Sequence, residues 1–104
     1  MESSNLGPIL NKAKELEKNY EWLQAVNYYQ KASDIALKAN CFVNVAECQK
    51  KMGFCFFRAA FQADTNKTFR IRIKLAVRAY ERQLSFLGRL RKKENEQKLT
   101  QLKL

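Results

Sequence analysis

The chain has 104 residues, 46% hydrophobic and 29% charged, which suits one small domain with a buried core and excludes a disordered or membrane-embedded one. Three glycines and one proline leave few turns, so a β-sandwich or barrel is excluded and an all-α fold of a few long helices is expected. The net charge of +10 is uneven: residues 1–50 carry six Lys against six acids, and residues 51–104 carry fourteen Lys plus Arg against four acids. No apolar run is long enough to span a bilayer, and the opening MESSNLGPIL lacks the basic start and apolar core of a secretory signal. With an odd number of cysteines, three, the expectation is a cytoplasmic protein with reduced thiols.

Apolar periodicity predicts four helices joined by short turns, packed antiparallel. The first runs over 6–18, with Leu6, Ile9, Leu10, Ala13 and Leu16 on one face and Pro8 in the first turn, where its missing N–H does no harm. Asn19 ends it, since Asn tolerates left-handed geometry. The second runs over 20–39 with Trp22, Ala25, Val26, Tyr29, Ala32 and Ala36 inward, and Asn40 ends it.

The third is predicted over 41–63, with Val45, Gln49, Met52, Phe56, Ala59 and Ala63 inward. Phe54, Phe56, Phe57 and Phe61 surround this helix, and core burial is expected for them. The segment DTNKT, 64–68, offers several N-cap residues. The fourth helix is predicted over 67–91, with Phe69, Ile73, Ala76, Val77, Tyr80, Leu84 and Leu87 inward. The domain therefore covers 1–92, and the polar remainder 93–104 is expected to fray or to begin a further helix.

An internal echo links the second and fourth helices. Trp22, Ala25, Tyr29 and Ala32 recur as Ile73, Ala76, Tyr80 and Gln83 at a constant offset of 51 residues. Small residues let helices approach closely, and the large residue one turn away fills the space between them. With Ala13 and Leu16 before it, and Met52, Gly53 and Phe56 before the second copy, this pattern resembles the tetratricopeptide family. The resemblance implies two helical hairpins that hold a protein partner. The offset exceeds that family's repeat of about 34 residues, Gln83 replaces the expected Ala, and no Pro closes either hairpin. The long helices look more like the extended repeats of soluble NSF-attachment proteins. The segment 13–32 is also similar to the first hairpin of microtubule-interacting-and-trafficking domains, which are three-helix adaptors.

The residues for catalysis are sparse. The chain has no His, so the commonest general base and metal ligand are missing. No Gly-rich phosphate loop is present. Cys41, Cys48 and Cys55 stand seven apart, about 10.5 Å along one helix, too far for a disulfide or for shared ligation of zinc. They read as a packed apolar stripe. A non-catalytic chain with no metal and no cofactor is the expectation.

Two features point to partners. Arg70, Lys74, Arg78 and Arg82 step by four into a basic ridge, which suits an acidic protein partner. With Tyr28 they are the expected partner-binding residues. Non-specific nucleic-acid binding is the alternative, unaided by aromatics for base stacking on the ridge. The fourth helix also carries a second apolar set, Ile71, Leu75, Ala79, Phe86 and Leu90, expected to point away from the core. Of these, Ile71, Leu75, Phe86 and Leu90 are the expected self-association residues, because a face left bare invites another chain. The reading is a protein-interaction or scaffold module that binds an acidic or helical partner and forms a homo-oligomer or part of a larger assembly.

Overall fold

The computed structural model describes residues 6–103, with side chains through 101. Among them lie four helices and no strand: α1 (Leu6–Lys18), α2 (Trp22–Lys38), α3 (Phe42–Ala60) and α4 (Asn66–Lys103). The all-α expectation holds. Substantial packing is confined to chain neighbours, α1 on α2, α2 on α3 and α3 on α4. The result is an open stack of antiparallel helices rather than a closed bundle. Its extents of 60 × 31 × 18 Å fit a layer about two helices thick.

The first two turns share one geometry. At the end of α1 the Glu21 N–H donates to the Leu16 carbonyl and the Tyr20 N–H to that of Glu17, with Tyr20 left-handed at φ 61°. At the end of α2, Cys41 donates to Ala36 and Asn40 to Leu37, with Asn40 at φ 55°. Both are Schellman caps, which satisfy the last carbonyls of a helix. Asn40 takes the left-handed position as the sequence suggests. At the first turn Tyr20 takes it instead of Asn19, an unfavourable residue for that conformation.

The third turn ends on Thr65, whose hydroxyl accepts from the Thr68 N–H at 3.1 Å and caps α4. The helix predicted to stop at 91 continues to 103, so the polar segment from 93 is an exposed extension of α4. Its 38 residues span about 57 Å.

The core lies between α1, α2 and α3, with Ala79 contributed by α4. Trp22, Ala25, Val26, Tyr29, Ala32 and Ala36 of α2 are all buried, as their spacing predicts. Cys48 and Cys55 are buried in α3, and Cys41 lies half-buried before it. Burial lifts the Cys48 thiol to about 11, helped by the Glu47 charge, and the Cys55 thiol to about 12, helped by Glu17. The Tyr29 hydroxyl donates to the Glu17 carboxylate, which ties α2 to α1. Burial first and that carboxylate second push the Tyr29 phenol well above its ordinary range. At the α3–α4 joint, Arg72 donates to the Ala59 carbonyl at 2.8 Å and complements the C-terminal end of α3.

Candidate interaction surface

How α4 meets α3 decides which residues face outward. The seam on α4 is narrow: Ala76 and Ala79 are buried, and Gln83 is half-buried between larger neighbours. Opposite stands Gly53, where an added Cβ would lie 2.9 Å from three ring carbons of Tyr80. Small residues on both helices bring the backbones close, and the bulky residues of α4 are displaced to the two flanks.

That geometry corrects the expected faces of α4. Leu75, Phe86 and Leu90, expected to be bare and self-associating, are half-buried, and Ala79 is fully buried. Phe86 packs on Phe42 of α3 with ring centroids 5.7 Å apart, and the Arg89 guanidinium lies 4.9 Å from the Phe86 centroid. Of the four expected self-association residues, Ile71 alone is largely exposed. Conversely Val77, Tyr80, Leu84 and Leu87, expected to be inward, are exposed, while Phe69 and Ile73 are half-buried. The stripe Ile73, Val77, Tyr80, Leu84 and Leu87 steps by four, three, four and three, so it forms one straight apolar seam along the helix.

The phenylalanines of α3 also depart from expectation. Phe56 is half-buried, but Phe54, Phe57 and Phe61 are exposed, because small residues rather than rings fill the close contacts of α3. Phe57 packs edge-on against Phe61 at 5.1 Å, and Phe61 against Phe69 at 5.6 Å. These rings carry the apolar surface of α4 across the turn onto α3. Phe54 stands at the other edge, edge-on to Trp22 at 5.8 Å.

The repeat shows what such a seam does when it is covered. Val77, Tyr80, Leu84 and Leu87 are 51, 37, 66 and 41% exposed, whereas their counterparts Val26, Tyr29, Ser33 and Ala36 are 7, 1, 3 and 0% exposed. On the first hairpin that stripe is roofed by α3: Met52, Cys55 and Ala59 share the core with Tyr29 and Val26. Gln49 donates to the Ser33 hydroxyl at 3.1 Å within the same contact. On the second hairpin nothing among the described residues roofs the equivalent stripe.

The charged ridge does not stay on one surface, and Arg78 lies between its two ends. Arg70, Lys74, Arg78 and Arg82 are all exposed. At a step of four the row drifts about 40° per step around the helix. Arg70 and Lys74 follow Phe69 and Ile73 directly and border the apolar seam, with Glu81 beside Tyr80. Arg82 has turned to the opposite flank. There, with Arg89, Ser85 and Phe86, it walls a cleft of about 480 Å³ against Gln30, Ser33, Asp34 and Leu37 of α2. Gln49 lies on its floor, with Oε1 unpaired. Tyr28 joins neither surface: it is half-buried against the core with the Lys31 ammonium 4.7 Å over its ring. A smaller recess of about 200 Å³, between Leu6, Leu10 and Lys14 of α1 and Asn44, Glu47 and Lys51 of α3, has Tyr29 at its base.

Among the described residues no His, Cys, Asp or Glu cluster could hold a metal, and no helix is long and apolar enough to cross a membrane. No protein-family model, curated protein or solved structure matches the chain.

Proposed function

We propose that this chain is a non-catalytic protein-interaction module, a tetratricopeptide-like pair of helical hairpins that works in the cytoplasm and holds a partner on the outer face of its second hairpin. The observation that carries this reading is the exposed seam of Val77, Tyr80, Leu84 and Leu87, with half-buried Ile73 at its start, continued by Phe57 on α3 and Phe61 just beyond it. A contiguous apolar stripe of this length is costly to leave in water and marks an interaction site. The bordering Arg70 and Lys74 favour an acidic partner by steering its approach. A sequence without His supports binding rather than chemistry.

A photo-reactive benzophenone side chain placed at Leu84, and separately at Leu99 on the exposed extension of α4, tests the reading in cell extract. Capture of one discrete protein at Leu84 and none at Leu99 is the expected result. Equal, diffuse capture at both positions would refute it.

A further inference from the structure

We propose that the occupant of the outer seam is an amphipathic helix of a partner protein with acidic flanks, seated on α4 as α3 is seated on α2. This rests on the interaction reading above and specifies its ligand. The molecule contains its own template for the complex. The stripe Trp22, Val26, Tyr29, Ser33 and Ala36 is buried in the first hairpin because α3 lies antiparallel across it. At an offset of 51 residues the second hairpin presents Ile73, Val77, Tyr80, Leu84 and Leu87 in the same register, the first half-buried and the other four exposed.

The template sets the shape of the occupant. From Ile73 to Leu87 the seam is about 21 Å long, four turns of helix. Beyond Leu87 the seam positions are Arg91 and Glu94, so the apolar contact ends there. A helix of about 15–20 residues would cover it. The face α3 turns to α2 consists of Val45, Cys48, Gln49, Met52, Cys55 and Ala59, small to medium residues at three-and-four spacing. The second seam is bulkier than the first, with Leu84 for Ser33 and Leu87 for Ala36. The helix it accepts therefore presents small residues opposite those leucines.

The borders set the charge. Arg70 and Lys74 outnumber Glu81 beside the seam on α4, and all three are exposed. Acidic residues flanking the partner's apolar stripe would meet them. A second copy of this chain brings its own excess of ten positive charges to a basic face, which disfavours self-docking.

The probe is a pair of 22-residue peptides based on residues 41–62. Both carry Phe54→Gln, Phe57→Gln and Phe61→Gln for solubility and Gln49→Ala to place a small residue opposite Leu84, since Gln49 faces the equivalent Ser33 in the template; the other α2-facing residues of α3 are kept. The acidic peptide also carries Lys50→Glu, Lys51→Glu and Arg58→Glu, and the basic peptide retains those three residues. Binding to the full chain is measured by fluorescence anisotropy at about 0.1 M salt. The acidic peptide is expected to bind, and the basic peptide about tenfold more weakly. Leu84→Glu and the milder Leu84→Ser are both expected to weaken the acidic peptide about tenfold or more, with helicity unchanged by circular dichroism. Equal binding of both peptides, or of wild type and both Leu84 variants, would overturn the proposal. So would a sedimentation-defined dimer of the free chain that Leu84→Glu dissociates, since the occupant would then be a second copy. Discrete capture at Leu84 without peptide binding refutes the helical seating and leaves the interaction reading standing. Loss of both removes both.

Discussion

Gly53 is the position at which the packing of α3 on α4 can be tested most sharply. Adding a Cβ there places a carbon 2.9 Å from Cε1, Cε2 and Cζ of Tyr80, which means that it sits over the ring. Ordinary carbon contacts are about 3.5–4.0 Å, so the ring must withdraw by about 0.7 Å or the helices must part. Overpacking of this kind costs about 1–3 kcal/mol, while replacing Gly by Ala inside a helix gains about 1 kcal/mol. Tyr80 has an open side and can absorb part of the strain, so Gly53→Ala alone should destabilise by about 0.5–1.5 kcal/mol. In a Tyr80→Ala background the clash is gone and the same change should stabilise by about 1 kcal/mol. The coupling from a double-mutant cycle is then about 1.5–2.5 kcal/mol. Urea unfolding of the four proteins measures it. If Gly53→Ala stabilises both backgrounds equally, Tyr80 does not cover Gly53, and the assignment of outward residues on α4 fails with it.

Tyr20 holds a left-handed φ of 61° at 67% exposure. Tyr20→Gly should stabilise the fold by about 1 kcal/mol by relieving that conformation, and a lower urea midpoint would contradict the strain. The Ser33 hydroxyl is the hydrogen-bond partner of buried Gln49, whose Oε1 is already unpaired. Ser33→Ala should therefore cost about 1–3 kcal/mol, whereas Ser33→Ala with Gln49→Leu should recover most of it, as thermal unfolding would show. The thiols of Cys48 and Cys55 rise from 9.0 to about 11 and about 12. A raised folded value means that the unfolded chain loses the proton first. The stabilising contribution is thus complete below about pH 9 and is lost as pH climbs through 11 and 12, at about 1.4 kcal/mol per unit for each thiol. Cys48→Ala and Cys55→Ala should each flatten the alkaline fall in the urea midpoint, and an unchanged slope would refute the burial of that thiol.

Much of the first hairpin is legible in the sequence because large and small inward residues alternate on one stripe of α2. Trp22, Val26 and Tyr29 mark the same face as Ala25, Ala32 and Ala36, so any weighting of hydrophobicity finds it. The second hairpin is harder to read. On α4 the small residues Ala76 and Ala79 meet α3 and bulky residues line both flanks, so apolar periodicity alone does not say which flank is packed. The stripe reading takes Val77, Tyr80, Leu84 and Leu87 for core and leaves Leu75, Ala79, Phe86 and Leu90 outside, the reverse of the packing. The signal that distinguishes them is Gly53, a residue that admits a ring at close range on the facing helix. Three other contacts have no signature in spacing. Glu17 reads as one more charge on a solvated face until Tyr29 donates to it. Arg72 sits among other basic residues and differs from them by reaching the Ala59 carbonyl. Tyr20 takes the left-handed position although Asn19 has the better propensity, because the Schellman bonds from Tyr20 and Glu21 fix which residue turns. The basic ridge was visible as a row of four, but its winding carries Arg70 and Lys74 to the seam and Arg82 to the cleft.

The most direct test of the outer seam as a docking site is a map of amide chemical-shift changes in the full chain on titration with the acidic α3-based peptide. Changes concentrated at residues 69–88 of α4, at Gly53–Ala60 of α3 and at the adjoining Phe61 are the expected result. Changes confined to the α1–α3 recess around Leu10, Lys14 and Lys51, or to the α2–α4 cleft around Ser33 and Arg89, would contradict it.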